Sequence, residues 1–291
     1  MRARRAAKTM TECRDFFVPG PVGKLAARSK GLAPGCGHVV VLVQGANLSG
    51  QAGFDLTVTG GEDYSLMDAL AARGLAAVTF ALRGYARSDA PEDPLTVDTD
   101  AAIEDLTGVM DWLAAEGHSR PHLLGWSWGG RIVARYGERH PDRVARMVLL
   151  DPALGGGNLI PFEPEEPWWS GGWDYFFERE AQYGSEKMRR ALADYVAAHE
   201  PRSPNGIRRE NARGSIPADP EALTCPVLMI YGSGAGKAAY MHGGIQRAEY
   251  FERLPTEDKA LVVVPGGGDY AHLQPARHRL HAEITGFLLN G

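Results

Sequence analysis

The sequence predicts an α/β fold: a mostly parallel central sheet flanked by helices, with an inserted lid subdomain. Three features carry this reading. Val39-Val40-Val41-Leu42-Val43 is a continuous apolar run rich in β-branched residues, the pattern of a strand covered on both faces. Strand-like and helix-like stretches alternate on either side of it, as βαβ units require. The alternation breaks once, at Gly155-Gly156-Gly157, and resumes near residue 227.

The elements follow in order. Phe16 to Leu25 contains Pro19-Gly20-Pro21 and reads as two short strands joined by a turn. After the strand at 39–43, a helix is expected from Leu66 to Arg73, stopped by Gly74, and then a strand from Ala76 to Phe80. Asp98 is placed to cap a helix whose apolar residues Ile103, Leu106, Met110 and Leu113 share one face before Gly117 ends it. A strand at 121–124, a turn holding Ser127, a helix at 129–139 and a strand at 146–150 complete the first part. Residues 155–220 carry clustered prolines, the aromatics Trp168, Trp169, Trp173, Tyr175 and Phe176, and a helical stretch at 187–199. The strands at 227–231 and 261–264 and a closing helix at 275–289 resume the pattern. The expected division is therefore a core of 1–154 and 221–291 with a lid or cap at 155–220.

The chain has 291 residues, enough for one large α/β domain or a core plus a small insertion. A net charge of −5 argues against a nucleic-acid footprint, which is normally basic. The basic start (Arg2, Arg4, Arg5, Lys8) is expected to be a frayed tail. No stretch reaches the roughly 18 apolar residues of a membrane span. Lys8, Glu12, Arg14 and Asp15 interrupt any signal-peptide core. Three widely spaced cysteines (Cys13, Cys36, Cys225) suit neither a disulfide framework nor a zinc site, so a reducing cytoplasm is the simplest location. The Asn47-Leu48-Ser49 sequon carries little weight without a secretion signal. Tyr231-Gly232-Ser233-Gly234-Ala235-Gly236-Lys237-Ala238 fails the phosphate-loop pattern at its first and last positions. No cofactor or metal is expected, and the expected partner is a small-molecule substrate.

Gly125-Trp126-Ser127-Trp128-Gly129-Gly130 is a G-x-S-x-G match. The bare pattern is weak in a glycine-rich chain. Its setting makes it specific, because it directly follows an apolar strand and opens a helix, as a nucleophile elbow must. Glycines on both sides relieve the crowding of a sharp turn, and the helix N-terminus points N–H groups at developing negative charge.

From these residues onward the sequence resembles the α/β-hydrolase superfamily over nearly its whole length. Arg83-Gly84-Tyr85-Ala86-Arg87-Ser88 is similar to its RGxGxS loop. Cys225 to Gly232 resembles the strand before the usual acid loop, and Gly268-Asp269-Tyr270-Ala271-His272-Leu273 resembles the catalytic-histidine loop. The resemblance implies Ser127 as nucleophile and His272 as general base. It also implies an oxyanion hole made by the backbone N–H groups of Ala46 and Trp128. The loop after Tyr231-Gly232 holds no carboxylate where most members carry the acid. Leu149-Leu150-Asp151-Pro152-Ala153 resembles the acid-bearing segment of vertebrate pancreatic-type lipases, so Asp151 is the expected acid, with Glu257, Asp258 and Asp269 as alternatives. Gln44 stands where relatives usually have histidine, although Gly45 is kept. The expected activity is cleavage of an ester or thioester of a bulky apolar acyl group, with Trp126, Trp168, Trp169 and Trp173 around the pocket. A C–C bond hydrolase or lyase/cyclase using the same residues, and a non-catalytic ligand-binding protein on the same fold, stand as alternatives.

Overall fold

The structure, a computed structural model, describes residues 12–60, 64–156, 160–235 and 247–290. The basic start of the chain, Gly157, the segment Gly236-Lys237-Ala238 and His242 lie outside them.

The first two strands, β1 (Cys13–Gly20) and β2 (Gly23–Lys30), form the expected hairpin, extended beyond the predicted ends on both sides. The buried run is β3 (His38–Val43). Along it Val39, Val41 and Val43 enter one hydrophobic cluster and Val40 and Leu42 the other, the period of two that a doubly covered strand demands. The short helix α1 (Gly50–Phe54) follows, then α2 (Leu66–Ala71) and β4 (Leu75–Phe80). Next comes α3 (Thr99–Ala115), whose first turn Asp98 caps by accepting from the Ala101 N–H, as its sequence implied. β5 (His122–Trp126), α4 (Trp128–Arg139) and β6 (Met147–Leu150) form the next βαβ unit.

Between β6 and the next strand of the main sheet, the chain builds a two-stranded pair from β7 (Trp168–Trp169) and β8 (Ser203–Pro204). The same stretch contributes the helices α5 (Gly172–Glu178), α6 (Glu186–His199) and α7 (Gly206–Arg213). It then returns as β9 (Val227–Gly232), α8 (Arg247–Glu252), β10 (Lys259–Val264) and α9 (Arg277–Leu289).

The main sheet runs β1-β2-β4-β3-β5-β6-β9-β10. β2 meets β4 antiparallel, and every neighbouring pair from β4 to β10 is parallel. One face is covered by α3 and α4 through Ile103, Leu106, Met110, Ile132 and Val133. The other is covered by α1, α2 and α9 through Phe54, Leu66, Leu70, Ile284 and Leu288.

Helix α1 was not predicted. Gly50 and Gly53 give it poor intrinsic propensity, so tertiary bonds hold it. Its cap Ser49 is buried, and its N–H and hydroxyl both donate to the carboxylate of Glu200, the residue that follows α6. A second tie runs from α7, where Glu210 accepts from the N–H and hydroxyl of Thr99 at 2.8 and 2.6 Å. These bonds seat the inserted segment over the carboxyl ends of the parallel strands, where ligands of such sheets collect.

Candidate active site

Ser127 sits at the junction of β5 and α4 with φ 55° and ψ −118°, a conformation that costs a non-glycine residue on the order of 1–3 kcal/mol. The neighbouring packing fixes it there. A Cβ on Gly125 would stand 2.1 Å from the Gly129 carbonyl oxygen, and one on Gly129 would stand 2.2 Å from the Val43 carbonyl oxygen. Both obstacles are backbone and cannot give way. The Ser127 carbonyl is engaged by the N–H groups of Gly130 and Ala153, at 3.0 and 2.8 Å. The side chain is half-buried and faces a cavity of about 360 Å³.

Ala46 and Trp128 line that cavity beside Ser127. Gln44 holds the Ala46 loop by accepting from the Leu82 N–H at 3.2 Å, and Tyr85 donates to the Ala46 carbonyl at 2.8 Å. Replacement of the family's histidine by Gln44 thus leaves the loop anchored.

His272 is not among the residues that line this cavity. It belongs to a single 3₁₀ turn, Ala271–Leu273, and is 0% exposed. Its ring packs against Trp126, Phe54 and Tyr270, with centroids 4.6, 5.7 and 6.4 Å away. Among the described residues neither ring nitrogen has a hydrogen-bond partner, so no hydrogen bond joins it to Ser127 or Asp151. Burial pushes its pKa down to about 3, with the His281 charge adding to the shift and the nearby Gly53 backbone, outside good hydrogen-bond geometry, opposing it.

Asp151 follows β6 in a left-handed conformation, φ 40°. One carboxylate oxygen receives a long bond from the Gly232 N–H, 3.5 Å, and the other has no partner among the described residues. Burial raises its pKa well above the ordinary carboxylate value, and the charge of Asp269 raises it further. Of the three alternative acids, Glu257 and Asp258 precede β10, at the opposite edge of the sheet from Ser127. Asp269 follows β10 on the near edge. The Trp126 indole holds its carbonyl at 2.8 Å, and its carboxylate pairs with Arg179 at 3.1 Å.

Arg179 lines the Ser127 cavity, together with Arg131, Arg208, Asn47, Asn211, Tyr175, Trp169, Ile160 and Ile207. Three arginines thus stand among the apolar side chains of the lining, where the sequence led us to expect an apolar acyl pocket. Of the four tryptophans expected there, Trp169 lines the cavity. The Trp126 ring lies edge-on to His272 and Tyr270, Trp168 carries the Arg202 guanidinium 4.0 Å over its ring, and Trp173 stacks on Phe177. The sequence did not single out the three arginines, because an arginine on a helix (Arg131, Arg208) or in a loop (Arg179) reads as a solvated side chain.

Residues 38–203, more than half of the chain, match the model of the alpha/beta hydrolase fold. The chain belongs to this family. Its similar relatives include a (Lyso)-N-acylphosphatidylethanolamine lipase of Homo sapiens, 37% identical over 34% of this chain and 28% of that protein. The monoacylglycerol lipase of Mycolicibacterium smegmatis is 25% identical over 79% of this chain and 84% of its own. The match thus spans only about a quarter to a third of the mammalian lipase but most of the bacterial one. A solved esterase from Thermogutta terrifontis superimposes with a TM-score of 0.67 at 17% identity, covering 94% of this chain and 98% of that one. The thioesterase domain from the curacin biosynthetic pathway gives 0.68 at 15% identity, covering 96% and 100%. At such identities the two structures share the alpha/beta hydrolase fold with this chain and nothing finer. Among the described residues no helix is long and apolar enough to cross a membrane.

Proposed function

We propose that the protein is a serine hydrolase that cleaves a small-molecule ester or thioester, with Ser127 attacking the acyl carbonyl. The observation that carries this reading is Ser127 itself, held in a strained turn by immovable backbone and turned toward a cavity at a helix N-terminus. The N–H groups of Ala46 and Trp128 receive the oxyanion, and water releases the acyl-enzyme. The inserted segment acts as the lid, since it supplies the cavity's far wall.

The hydroxyl needs a base. A Ser127–His272–Asp151 relay requires hydrogen bonds that the described residues do not make. A second reading gives the proton to Asp269, whose carboxylate pairs with Arg179, a lining residue of the Ser127 cavity. Asp269→Asn and His272→Leu separate the two. Loss of turnover in the first with retention in the second assigns the carboxylate, and the reverse assigns the imidazole.

A fluorophosphonate probe tests the nucleophile. Wild type should be labelled at Ser127, and Ser127→Ala should be unlabelled and lose on the order of 10⁶ in kcat. The absence of an imidazole on Ser127 among the described residues favours one other reading, a ligand-binding protein without turnover. Absence of labelling in the folded wild type would decide for it.

A further inference from the structure

Three guanidinium groups line the cavity beside Ser127, and they differ in what neutralises them. Arg131 donates to Glu210 and Asn211 at 3.0 and 3.1 Å, and Arg179 pairs with Asp269 at 3.1 Å. Arg208 differs. Its two terminal nitrogens donate to the amide oxygens of Asn205 and Asn47, at 3.2 and 2.5 Å, and its guanidinium lies 4.2 Å over the Trp169 ring. All three of these neighbours are neutral, and among the described residues no carboxylate forms an ion pair with Arg208. Burial lowers its pKa, yet a guanidinium stays charged at any ordinary pH. A half-buried cation without a counter-charge is an unfavourable arrangement unless a ligand completes it.

Tyr175 points to the same completion. Its hydroxyl oxygen accepts from Asn47 at 3.0 Å and from Arg179 at 3.0 Å. With both acceptor positions used, its proton is what remains to offer. Asn47, Tyr175 and Arg179 thus form one continuous network from Arg208 to Asp269, presenting a cation and a hydroxyl donor to the cavity.

We propose that this cavity takes a substrate bearing a carboxylate, which pairs with Arg208 and receives the Tyr175 hydroxyl. Arg131 already pairs with Glu210 and Arg179 with Asp269, so the guanidinium left for a ligand is that of Arg208, which suits one carboxylate. Trp169, Ile160 and Ile207 flank the carbon chain between that carboxylate and the bond cut at Ser127. The favoured substrate class is therefore the half-ester or half-thioester of a short dicarboxylic acid. The cleavage step rests on the serine-hydrolase reading, whereas the anion site does not.

Two measurements separate the two. In the first, kcat/KM is compared for the 4-nitrophenyl half-ester of glutaric acid and for 4-nitrophenyl pentanoate, a neutral ester of equal chain length. Wild type should prefer the half-ester by about 10- to 100-fold, the range of one charge-assisted pair. Arg208→Met should bring the ratio near one, and Arg208→Lys should keep part of it. Equal activity on both esters, or an equal fall on both in Arg208→Met, would mean that Arg208 only ties α7 to Asn47, and the proposal fails. In the second, binding of monomethyl glutarate, a monoanion, to the Ser127→Ala protein is followed by calorimetry, which needs no turnover. Binding that is lost in Ser127→Ala/Arg208→Met supports the anion site even if no ester is cleaved. Failure of Ser127→Ala to bind monomethyl glutarate overturns the anion site even if the neutral ester is hydrolysed.

Discussion

Charging His272 should be costly, and the cost can be read as a pH slope. Its pKa falls from 6.5 to about 3 in the folded protein because the ring is buried among Trp126, Phe54 and Tyr270. The folded state therefore binds fewer protons than the unfolded chain below pH 6.5. Stability is fully present above that value and is lost as the pH falls toward 3. Between pH 6.5 and pH 5 the loss is one and a half pH units at 1.36 kcal/mol each, about 2 kcal/mol from this residue. His122 and His281, each lowered to about 4 by burial, add slopes of the same sign. Asp105, raised to about 6 by burial, and Asp151 work the other way, because they gain protons on folding. The readout is therefore the difference between wild type and His272→Leu, which fills the pocket with an apolar side chain and cannot titrate. Urea melts at pH 7 and pH 5 should show wild type losing about 2 kcal/mol more than the variant over that interval. Equal losses would mean that folded His272 titrates like a solvated imidazole. The ring would then spend its time in the Ser127 cavity, and the buried placement argued from its packing would be refuted.

Three further outcomes follow from the packing. Gly125→Ala drives a methyl into the Gly129 carbonyl, so it should cost about 3 kcal/mol or more and collapse Ser127 labelling; a urea midpoint within error of wild type would contradict the elbow geometry. Asp105 is 0% exposed and holds the Arg83 side chain at 2.8 Å and its N–H at 2.9 Å. Asp105→Ala leaves the Arg83 N–H without its acceptor and the guanidinium with only the exposed Glu104 carboxylate, at 3.0 Å, and the Ala101 carbonyl, so it should cost about 1–3 kcal/mol by denaturant melt. Trp169→Ala removes the ring under Arg208 and should reduce kcat/KM on the larger of two esters more than on an acetyl ester, whereas Trp168→Ala should change the ratio little.

The frame of the fold was legible because its signals are local. The Val39–Val43 run and the strand-turn-helix around Ser127 each state their environment within a few residues. Helix α1 was not legible, since two of its five residues are glycine and its cap is tied to a carboxylate 151 positions away. His272 was selected by residue type and loop. What fixes its direction is the single turn Ala271–Leu273, which aims the ring at Trp126 and leaves Asp269 on the outer part of the loop beside Arg179. No pattern in the loop states which of those two side chains faces inward. Arg208 and Arg209 are adjacent and chemically alike, and only the seating of α7 against Asn47 brings the first into the cavity.

The bond between Glu200 and Ser49 has a consequence for how the molecule opens. One carboxylate completes the cap of α1 beneath the strand edge and anchors the end of α6 above the cavity. Lifting α6 would uncap α1 and strip a buried carboxylate of its donors in the same event, so the two helices form one cooperative unit. Amide exchange at Ser49 should then share the opening free energy of α6, while the stretch from Ile160 to Glu163, tied by the exposed Arg213–Glu163 pair, exchanges more readily. If the proposed lid opens for a ligand, that looser end is where it is expected to part, with the rest of the roof as a fixed wall.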